Sequence, residues 1–122
     1  MSEKIFVIQK HFASHLHWDF RLEINGVLKS WAVPKEPSAE ANVRRLAIQV
    51  DDHELDYANF EGEIQKGNYG AGTVKIWDKG TYRMIDKKDF KLVFELHGEK
   101  LKGEYTLVQM KGKQWLLFKK KD

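Results

Sequence analysis

Hydrophobic and polar residues alternate strictly from residue 17 to residue 24, and this alternation predicts a β-strand. The apolar row is Leu16, Trp18, Phe20, Leu22 and Ile24, and the polar row is His17, Asp19, Arg21 and Glu23. Because successive side chains of a strand point to opposite faces, we expect one buried row and one displayed row, with neighbours in each row about 6.6 Å apart. An imidazole, a guanidinium and two carboxylates on one face suit a divalent metal and a bound anion.

Short strand patterns dominate the rest of the chain. The pair Asn25-Gly26 is a strong type I′ hairpin signal, and residues 27–33 continue as the partner strand until Pro34. Further strands are predicted at residues 4–10, 45–50, 73–77, 81–85, 91–96, 103–110 and 114–118, with residues 78–80 as a turn. Eight or nine short strands with almost no helical periodicity predict an all-β barrel or sandwich.

Three segments between the predicted strands are less regular. Residues 38–41 are predicted to begin one short helical turn with Ser38 as its N-cap, and residues 57–65 are predicted to be irregular. Residues 67–72, with three glycines, have neither the lysine and serine of a phosphate-binding loop nor a following helix. They predict a hairpin or bulge that needs positive φ.

Composition restricts the class of protein. At 122 residues, a single domain over residues 1–122 is expected. The chain has no cysteine, which excludes a disulfide scaffold, a cysteine-ligated zinc site and a thiol nucleophile. We find no signal-like segment and no stretch long enough to cross a bilayer, so a cytoplasmic protein without membrane contact is expected. The formal charge of +3 is compatible with a polyanionic partner and also ordinary for a lysine-rich soluble protein.

Two neighbouring strands bring together candidate metal ligands. His11 ends the first predicted strand and His17 opens the second, so a tight bend through Ala13 and Ser14 would bring the imidazoles together. With Asp19 they form a mixed nitrogen and oxygen site suited to Mn²⁺, Fe²⁺ or Zn²⁺. A polar strand with incidental histidines is the alternative interpretation of the same residues.

Two further residues could act beside such a metal. Arg21 lies one pleat beyond Asp19, and a guanidinium binds phosphate oxygens in a bidentate manner, although a salt bridge to Asp19 or Glu23 would explain it equally well. His53 lies among carboxylates after a predicted strand and could be an acid, a phosphate donor, another ligand or an exposed turn residue.

Six segments of the chain resemble the 3′-phosphoesterase domain of bacterial DNA ligase D and its stand-alone archaeal relatives. They are FVIQKH at residues 6–11, SHLHWDFRLE at 14–23, GVLKSWAVPK at 26–35, DHELDY at 52–57, FEG at 60–62 and GNYGAGTV at 67–74. The resemblance covers about residues 6–118. So many ordered matches are far more specific than one short motif.

The resemblance implies a small closed β-barrel of about eight strands, with one or two short helical turns and a polar groove. It implies a Mn²⁺-dependent enzyme, with Co²⁺ or Zn²⁺ as substitutes, that acts on DNA or DNA/RNA 3′ ends at primer–template junctions. Such enzymes remove a terminal 3′ ribonucleotide by a phosphodiesterase step and then the 3′-phosphate by a phosphomonoesterase step. The joining of the ends then needs a separate DNA ligase and end-joining factors, and a monomer is expected.

The resemblance also assigns residues. It implies that His11, His17 and Asp19 bind the metal, in agreement with the independent argument from the strand. The other assignments are Arg21 and His53 on the scissile phosphate, Tyr57 nearby, and Gln9, Lys35, Arg45 and Asp51 in supporting substrate-binding positions. One departure is that ligase D versions carry an N-terminal arm for the second step, whereas only residues 1–5 precede the first strand here. A weaker second step is therefore expected.

Two other function classes fit parts of the sequence. His17 and Asp19 with a distant histidine, His53 or His97, also match the facial triad of non-haem iron oxygenases, which would turn over a small molecule with O₂. A non-catalytic barrel that binds single strands through lysines and aromatic residues would show salt-sensitive DNA binding that chelators do not alter. Both account for fewer residues than the phosphoesterase interpretation.

Overall fold

The computed structural model describes residues 3–68 and 71–121, which form one continuous antiparallel sheet. Its strands are β1 (Lys4–Phe12), β2 (Leu16–Ile24), β3 (Val27–Val33), β4 (Arg45–His53), β5 (Gly62–Ile64), β6 (Gly72–Lys88), β7 (Lys91–His97), β8 (Lys102–Lys111) and β9 (Gln114–Lys119). They are hydrogen-bonded in the order β1-β2-β3-β4-β9-β8-β7-β6-β5, and β1 also pairs with β6. This extra pairing closes eight strands into a barrel, so the all-β barrel is confirmed.

The hairpin between β2 and β3 follows the predicted turn. Asn25 and Gly26 have φ of 53° and 83°, which is the type I′ conformation that the right-handed twist of a two-residue hairpin favours. The turn fixes a register in which Ile24 pairs with Val27 and Arg21 with Ser30.

The helical content differs from the sequence expectation. Residues 38–41 form no helix; instead the Ser38 hydroxyl accepts a hydrogen bond from the Glu40 amide at 3.0 Å, and Ala41 pairs with Lys119. The prediction there was wrong because Ser38 caps a local turn. One 3₁₀ helix occurs instead among the described residues, at Leu55–Asn59, and its second half overlaps the segment 57–65 that was predicted to be irregular.

Strand β6 replaces the two predicted strands and the turn between them. It runs unbroken from Gly72 to Lys88, and a register shift against Ile8 and Gln9 leaves one extra residue on β6. Gly72 has a φ of 131°, and a Cβ there would overlap the carbonyl oxygen of Phe12. Gly67 also has positive φ, as the glycine-dense pattern predicts, whereas Tyr69 and Gly70 lie outside the described residues.

Two hydrophobic clusters lie on opposite sides of the β1–β3 sheet. The larger cluster fills the barrel and includes Phe20, Trp31 and Phe94. The smaller cluster lies on the outer face, where Val7 and Leu28 pack against Ala58 of the 3₁₀ helix. The segment that contains this helix and β5 therefore covers the outer face of the first strands. No helix in the described ranges has the length and apolar composition needed to span a membrane.

The wrong turn prediction at residues 78–80 has a specific cause. The Asp78 carboxylate is buried and accepts hydrogen bonds from the backbone amides of four residues. They are Lys79 at 3.0 Å, Glu99 at 2.9 Å, Lys100 at 3.2 Å and Leu101 at 2.8 Å. Asp78 therefore does not initiate a turn of its own; it holds the distant β7–β8 connection.

We expect Asp78→Ala to lower the free energy of unfolding by at least about 3 kcal/mol, because several buried amides lose a charged acceptor. Urea denaturation of this variant and of Asp86→Asn, an exposed aspartate on the same strand, measures the effect. The control should stay within about 0.5 kcal/mol of the parent. Equal stabilities for the two variants would contradict the assigned role of Asp78.

Two buried tyrosines predict a loss of stability in alkali. Burial raises the pKa of Tyr82 and of Tyr105 to about 12, and their hydroxyls donate to the carbonyls of Glu23 and Ser38. Because the folded pKa lies above the ordinary value of 10, this stability is complete below pH 10 and is lost as the pH rises through 12. Denaturation at several pH values should show a shallower decline for the Tyr82→Phe/Tyr105→Phe variant.

Candidate metal and phosphate site

The β1–β2 hairpin brings two histidines face to face. His11 and His17 are direct cross-strand partners, and their ring centroids lie 4.8 Å apart. The connection between the strands is only residues 13–15, which corresponds to the tight bend that the sequence predicts. Nitrogen atoms of both rings and a carboxylate oxygen of Asp19 lie within 4.8 Å of one another.

The donor atoms of this group fit a divalent cation. The Nε2 atom of His11 is buried and has no hydrogen-bond partner among the described residues, which normally carries a free-energy cost. Nδ1 of His17 lies 3.0 Å from the backbone carbonyl oxygen of His15 and donates to it, so Nε2 is the nitrogen that can bind a metal once it gives up the proton that it donates to Asp19. A backbone carbonyl that orients a histidine in this way is typical of the surroundings of metal sites.

Asp19 is surrounded by positive and potentially positive groups. Its oxygens lie 3.2 Å from Nε2 of His17, 3.5 Å from Nδ1 of His11 and 3.4 Å from Nη2 of Arg21. Burial alone would raise the pKa of this carboxyl, but the hydrogen bond from His17 and the nearby cations outweigh it, so the pKa lies below its ordinary value. Chiefly through that hydrogen bond, the pKa of His17 is raised. Asp19 is therefore a carboxylate at neutral pH and available as a ligand.

Arg21 is a buried cation with an almost complete set of partners. Nε donates to Oε1 of Gln9 at 2.6 Å, and Nη1 donates to Oγ of Ser30 at 2.8 Å and to Nδ1 of His53 at 3.1 Å. The ring of Tyr57 lies 4.9 Å from the guanidinium carbon. Nη2 only approaches Asp19, so it is the nitrogen with capacity left for a substrate oxygen. The salt bridge to Asp19 is therefore present, and the anion-binding role of Arg21 stays a prediction.

The contact with Arg21 fixes the tautomer of His53. A guanidinium cannot accept a hydrogen bond, so Nδ1 of His53 must accept, and Nε2 carries the proton. The 3.3 Å approach of Nδ1 to the carbonyl oxygen of Asp51 is then not a hydrogen bond. Burial and the charge of Arg21 lower the pKa of His53, which favours the neutral ring. His53 can therefore donate one hydrogen bond from Nε2.

The middle of the polar row of β2 is buried and not displayed, which corrects the sequence expectation, whereas His17 and Glu23 at its ends are half-buried. Asp19 is 6 % exposed and Arg21 is 3 % exposed, whereas Leu16 of the apolar row is 42 % exposed. The side chain of Gln9 donates to the carbonyl oxygens of Tyr57 at 2.7 Å and Phe60 at 3.2 Å. These bonds hold the covering segment over the polar row.

A cavity of about 320 Å³ collects most of the predicted site residues. Those that line it are His11, His17, Asp19, Arg21, Asp51, His53 and Tyr57. Gln9 lies fully buried behind Arg21. Lys35 is exposed and follows β3, and Arg45 donates a hydrogen bond to the carbonyl oxygen of Glu36 at 2.7 Å. Neither of these two residues is among the described residues that line this cavity. The substrate-binding roles of these residues stay predictions.

The structure adds Ser30, which the sequence analysis did not identify. Its hydroxyl is fully buried, accepts from Arg21 and donates to the carbonyl oxygen of Leu28 at 3.0 Å. A signal was present, because the type I′ turn at Asn25-Gly26 fixes a hairpin register that puts Ser30 opposite Arg21. His97, in contrast, contacts Glu3 at 3.3 Å and Glu95 at 3.2 Å, and it is not among the described residues that line the cavity.

Comparisons with known proteins point to one family. Residues 9–109 match the family described as the DNA Ligase D 3′-phosphoesterase domain. The chain is 52% identical over 126 residues to a multifunctional non-homologous end joining protein LigD of Pseudomonas aeruginosa. It is 47% identical over 121 residues to a multifunctional non-homologous end joining DNA repair protein LigD of Mycobacterium tuberculosis. Each alignment covers 96% of this chain but only 15% and 16% of those relatives.

The site predicts stabilisation by divalent metal. At free Mn²⁺ of about 100 times the dissociation constant, the folded state should gain about 2.7 kcal/mol, and EDTA should reverse the gain. Asp19→Asn should abolish the rise in melting temperature, because a neutral amide is a poor substitute for the carboxylate. Asp52→Asn, which changes an exposed aspartate paired with Lys29, is the matched control and should keep it. An unchanged metal response in Asp19→Asn would remove Asp19 from the ligand set.

Proposed function

Since the chain belongs to the DNA ligase D 3′-phosphoesterase domain family, we propose that it is a Mn²⁺-dependent enzyme that heals DNA 3′ ends. It removes a 3′-terminal ribonucleotide by a phosphodiesterase step and then removes the 3′-phosphate, which leaves a hydroxyl for end joining. The observation that carries the proposal is the joint placement of the metal-ligand group, Arg21 and His53 in one cavity. It acts as a monomer on primer–template ends and works with the ligase and the end-joining machinery.

In this proposal His11, His17 and Asp19 hold the metal. A divalent ion bound there supplies positive charge to a phosphate oxygen and offsets the negative charge that develops in the transition state. The carboxylate of Asp19 lies beside both histidine rings and Arg21, so it would be a ligand of the ion and would also compensate the charge of the guanidinium.

Arg21 binds a second phosphate oxygen through Nη2. Its other nitrogens are engaged by Gln9, Ser30 and His53, so the guanidinium is held in one orientation before the substrate arrives. Such preorganised donors stabilise developing charge without reorganisation during the reaction. The ring of Tyr57 packs against the face of the guanidinium and adds a cation–π contact at 4.9 Å.

His53 donates a hydrogen bond from Nε2 to the phosphate or to the leaving oxygen. Its ring lies over Tyr57 with centroids 4.5 Å apart, and its Nδ1 is fixed by Arg21. The lowered pKa of His53, caused first by burial and then by Arg21, favours a neutral donor over a protonated acid at pH 7. Asp51 at the cavity wall is a second polar group available to the sugar.

The activity is tested with a labelled primer–template that ends in one ribonucleotide. With Mn²⁺ the primer should shorten to a 3′-phosphate and then to a 3′-hydroxyl product, and EDTA should stop both steps. No shortening with any divalent metal would reject the function. Turnover of a small molecule that requires O₂ would favour the iron oxygenase, and chelator-insensitive DNA binding without cleavage would favour a binding barrel.

Substitution of His53 should separate catalysis from folding. We expect His53→Ala to lower the resection rate by about 100-fold or more, because a positioned donor is lost. His97→Ala, an exposed histidine outside the described lining of the cavity, should leave the rate within twofold. Circular dichroism checks that both variants fold, and single-turnover rates measure the difference. Equal rates for the two variants would exclude His53 from the reaction.

A further inference from the structure

The end of the β1–β2 hairpin carries an exposed apolar pair on the face opposite the two histidines. Phe12 and Leu16 are cross-strand partners one residue beyond the His11–His17 pair, and each is 42 % exposed. Because side chains alternate along a strand, this pair continues the row that enters the barrel core. The hairpin therefore extends past the core, and its inner face is left open.

Two lysines lie next to this pair, and neither forms a salt bridge among the described residues. Lys10 of β1 lies directly opposite Lys75 of β6, although like charges in this position are destabilising. Neither lysine has a carboxylate within 4.0 Å among the described residues. The Nζ atom of Lys10 lies over the rings of Phe12 at 5.1 Å and Trp18 at 5.5 Å. An unpaired positive charge beside aromatic rings is complementary to a stacked base with its phosphate.

We propose that Lys10, Phe12, Leu16 and Lys75, here called the basic–aromatic surface, bind a single-stranded segment of the DNA substrate next to the reacting 3′ end. The inference rests on the proposed function, since it supplies the path that the nucleic acid takes from the cavity. Ala13, the next residue after Phe12, lines that cavity, so the two sites are adjacent in the chain. Phe12 and Leu16 pack against an unpaired base, and the two lysines neutralise its flanking phosphates.

The position of the surface excludes a role in holding the metal. Its side chains point to the face opposite His11 and His17, and none of the four residues is among the described lining of the cavity. The surface should therefore contribute to substrate affinity and leave the chemical step unchanged. That separation distinguishes it from the residues of the site itself.

Fluorescence anisotropy with a labelled single-stranded 12-mer in EDTA measures binding without turnover. Phe12→Ala/Leu16→Ala should raise the dissociation constant about tenfold, because base stacking is lost. Lys10→Gln/Lys75→Gln should reduce the slope of log K against log salt by about 1.4, which is about 0.7 for each phosphate contact on a single strand. Matched controls are Phe90→Ala/Met110→Ala and Lys87→Gln/Lys113→Gln, which change exposed residues on other parts of the barrel.

Resection kinetics separate a failure of this inference from a failure of the proposed function. If the wild-type protein resects, Phe12→Ala/Leu16→Ala should raise KM about tenfold and leave kcat within twofold. Active wild-type enzyme with unchanged KM, dissociation constant and salt slope in both double variants would overturn the inference alone. Absence of resection by the wild-type protein would reject the proposed function, and the anisotropy data would still decide whether the surface binds DNA.

Discussion

A single buried cation, the guanidinium of Arg21, is the constraint on which the rest of the site depends. Removing such a charge from water costs several kcal/mol unless hydrogen bonds and an opposite charge compensate for it. Here the compensation comes from Gln9 on β1, Asp19 on β2, Ser30 on β3 and His53 on β4. Four consecutive strands must therefore be paired in the correct register before the guanidinium of Arg21 has all of these partners. The fold and the site form together.

Gln9 extends this constraint from the barrel to the segment that covers it. Its oxygen accepts from Arg21, and its amide nitrogen donates to the carbonyl oxygens of Tyr57 and Phe60. The 3₁₀ helix is thus attached to the same cation that orients His53. The pKa shifts of the two histidines at the cavity have opposite signs, because the hydrogen bond to Asp19 raises the pKa of His17, whereas burial and the charge of Arg21 lower the pKa of His53. Gln9 accordingly links Arg21 to the covering segment.

Local patterns in the sequence predicted the parts of this arrangement that depend on neighbouring residues. The alternation in β2 put His17, Asp19 and Arg21 on one face, and Asn25-Gly26 fixed the hairpin register. Burial of that face could not be predicted, because it depends on a covering segment that is more than 30 residues away and has no periodicity. The same limit explains the missed continuity of β6, since the amide partners of Asp78 at residues 99–101 are remote in sequence.

The two faces of the β1–β2 hairpin differ in what they carry: the inner face has apolar side chains that pack in the core, and the outer face has the candidate metal ligands. Toward the core, Trp18 and Phe20 are packed, so the backbone that carries His17 and Asp19 has little freedom. The strand that carries His11 is paired through its backbone on both sides, with β2 and with β6. Because the backbone is held in this way, Nε2 of His11 cannot move to a partner and stays buried without a hydrogen bond among the described residues. An unsatisfied buried polar group of this kind costs about 1–3 kcal/mol. A ligand that accepts the lone pair, or a proton acceptor bound there, offsets this cost. The outer face, whose backbone is held by the packed core, is therefore the one suited to a metal ion, and the exposed end of the inner face is left for a flexible strand.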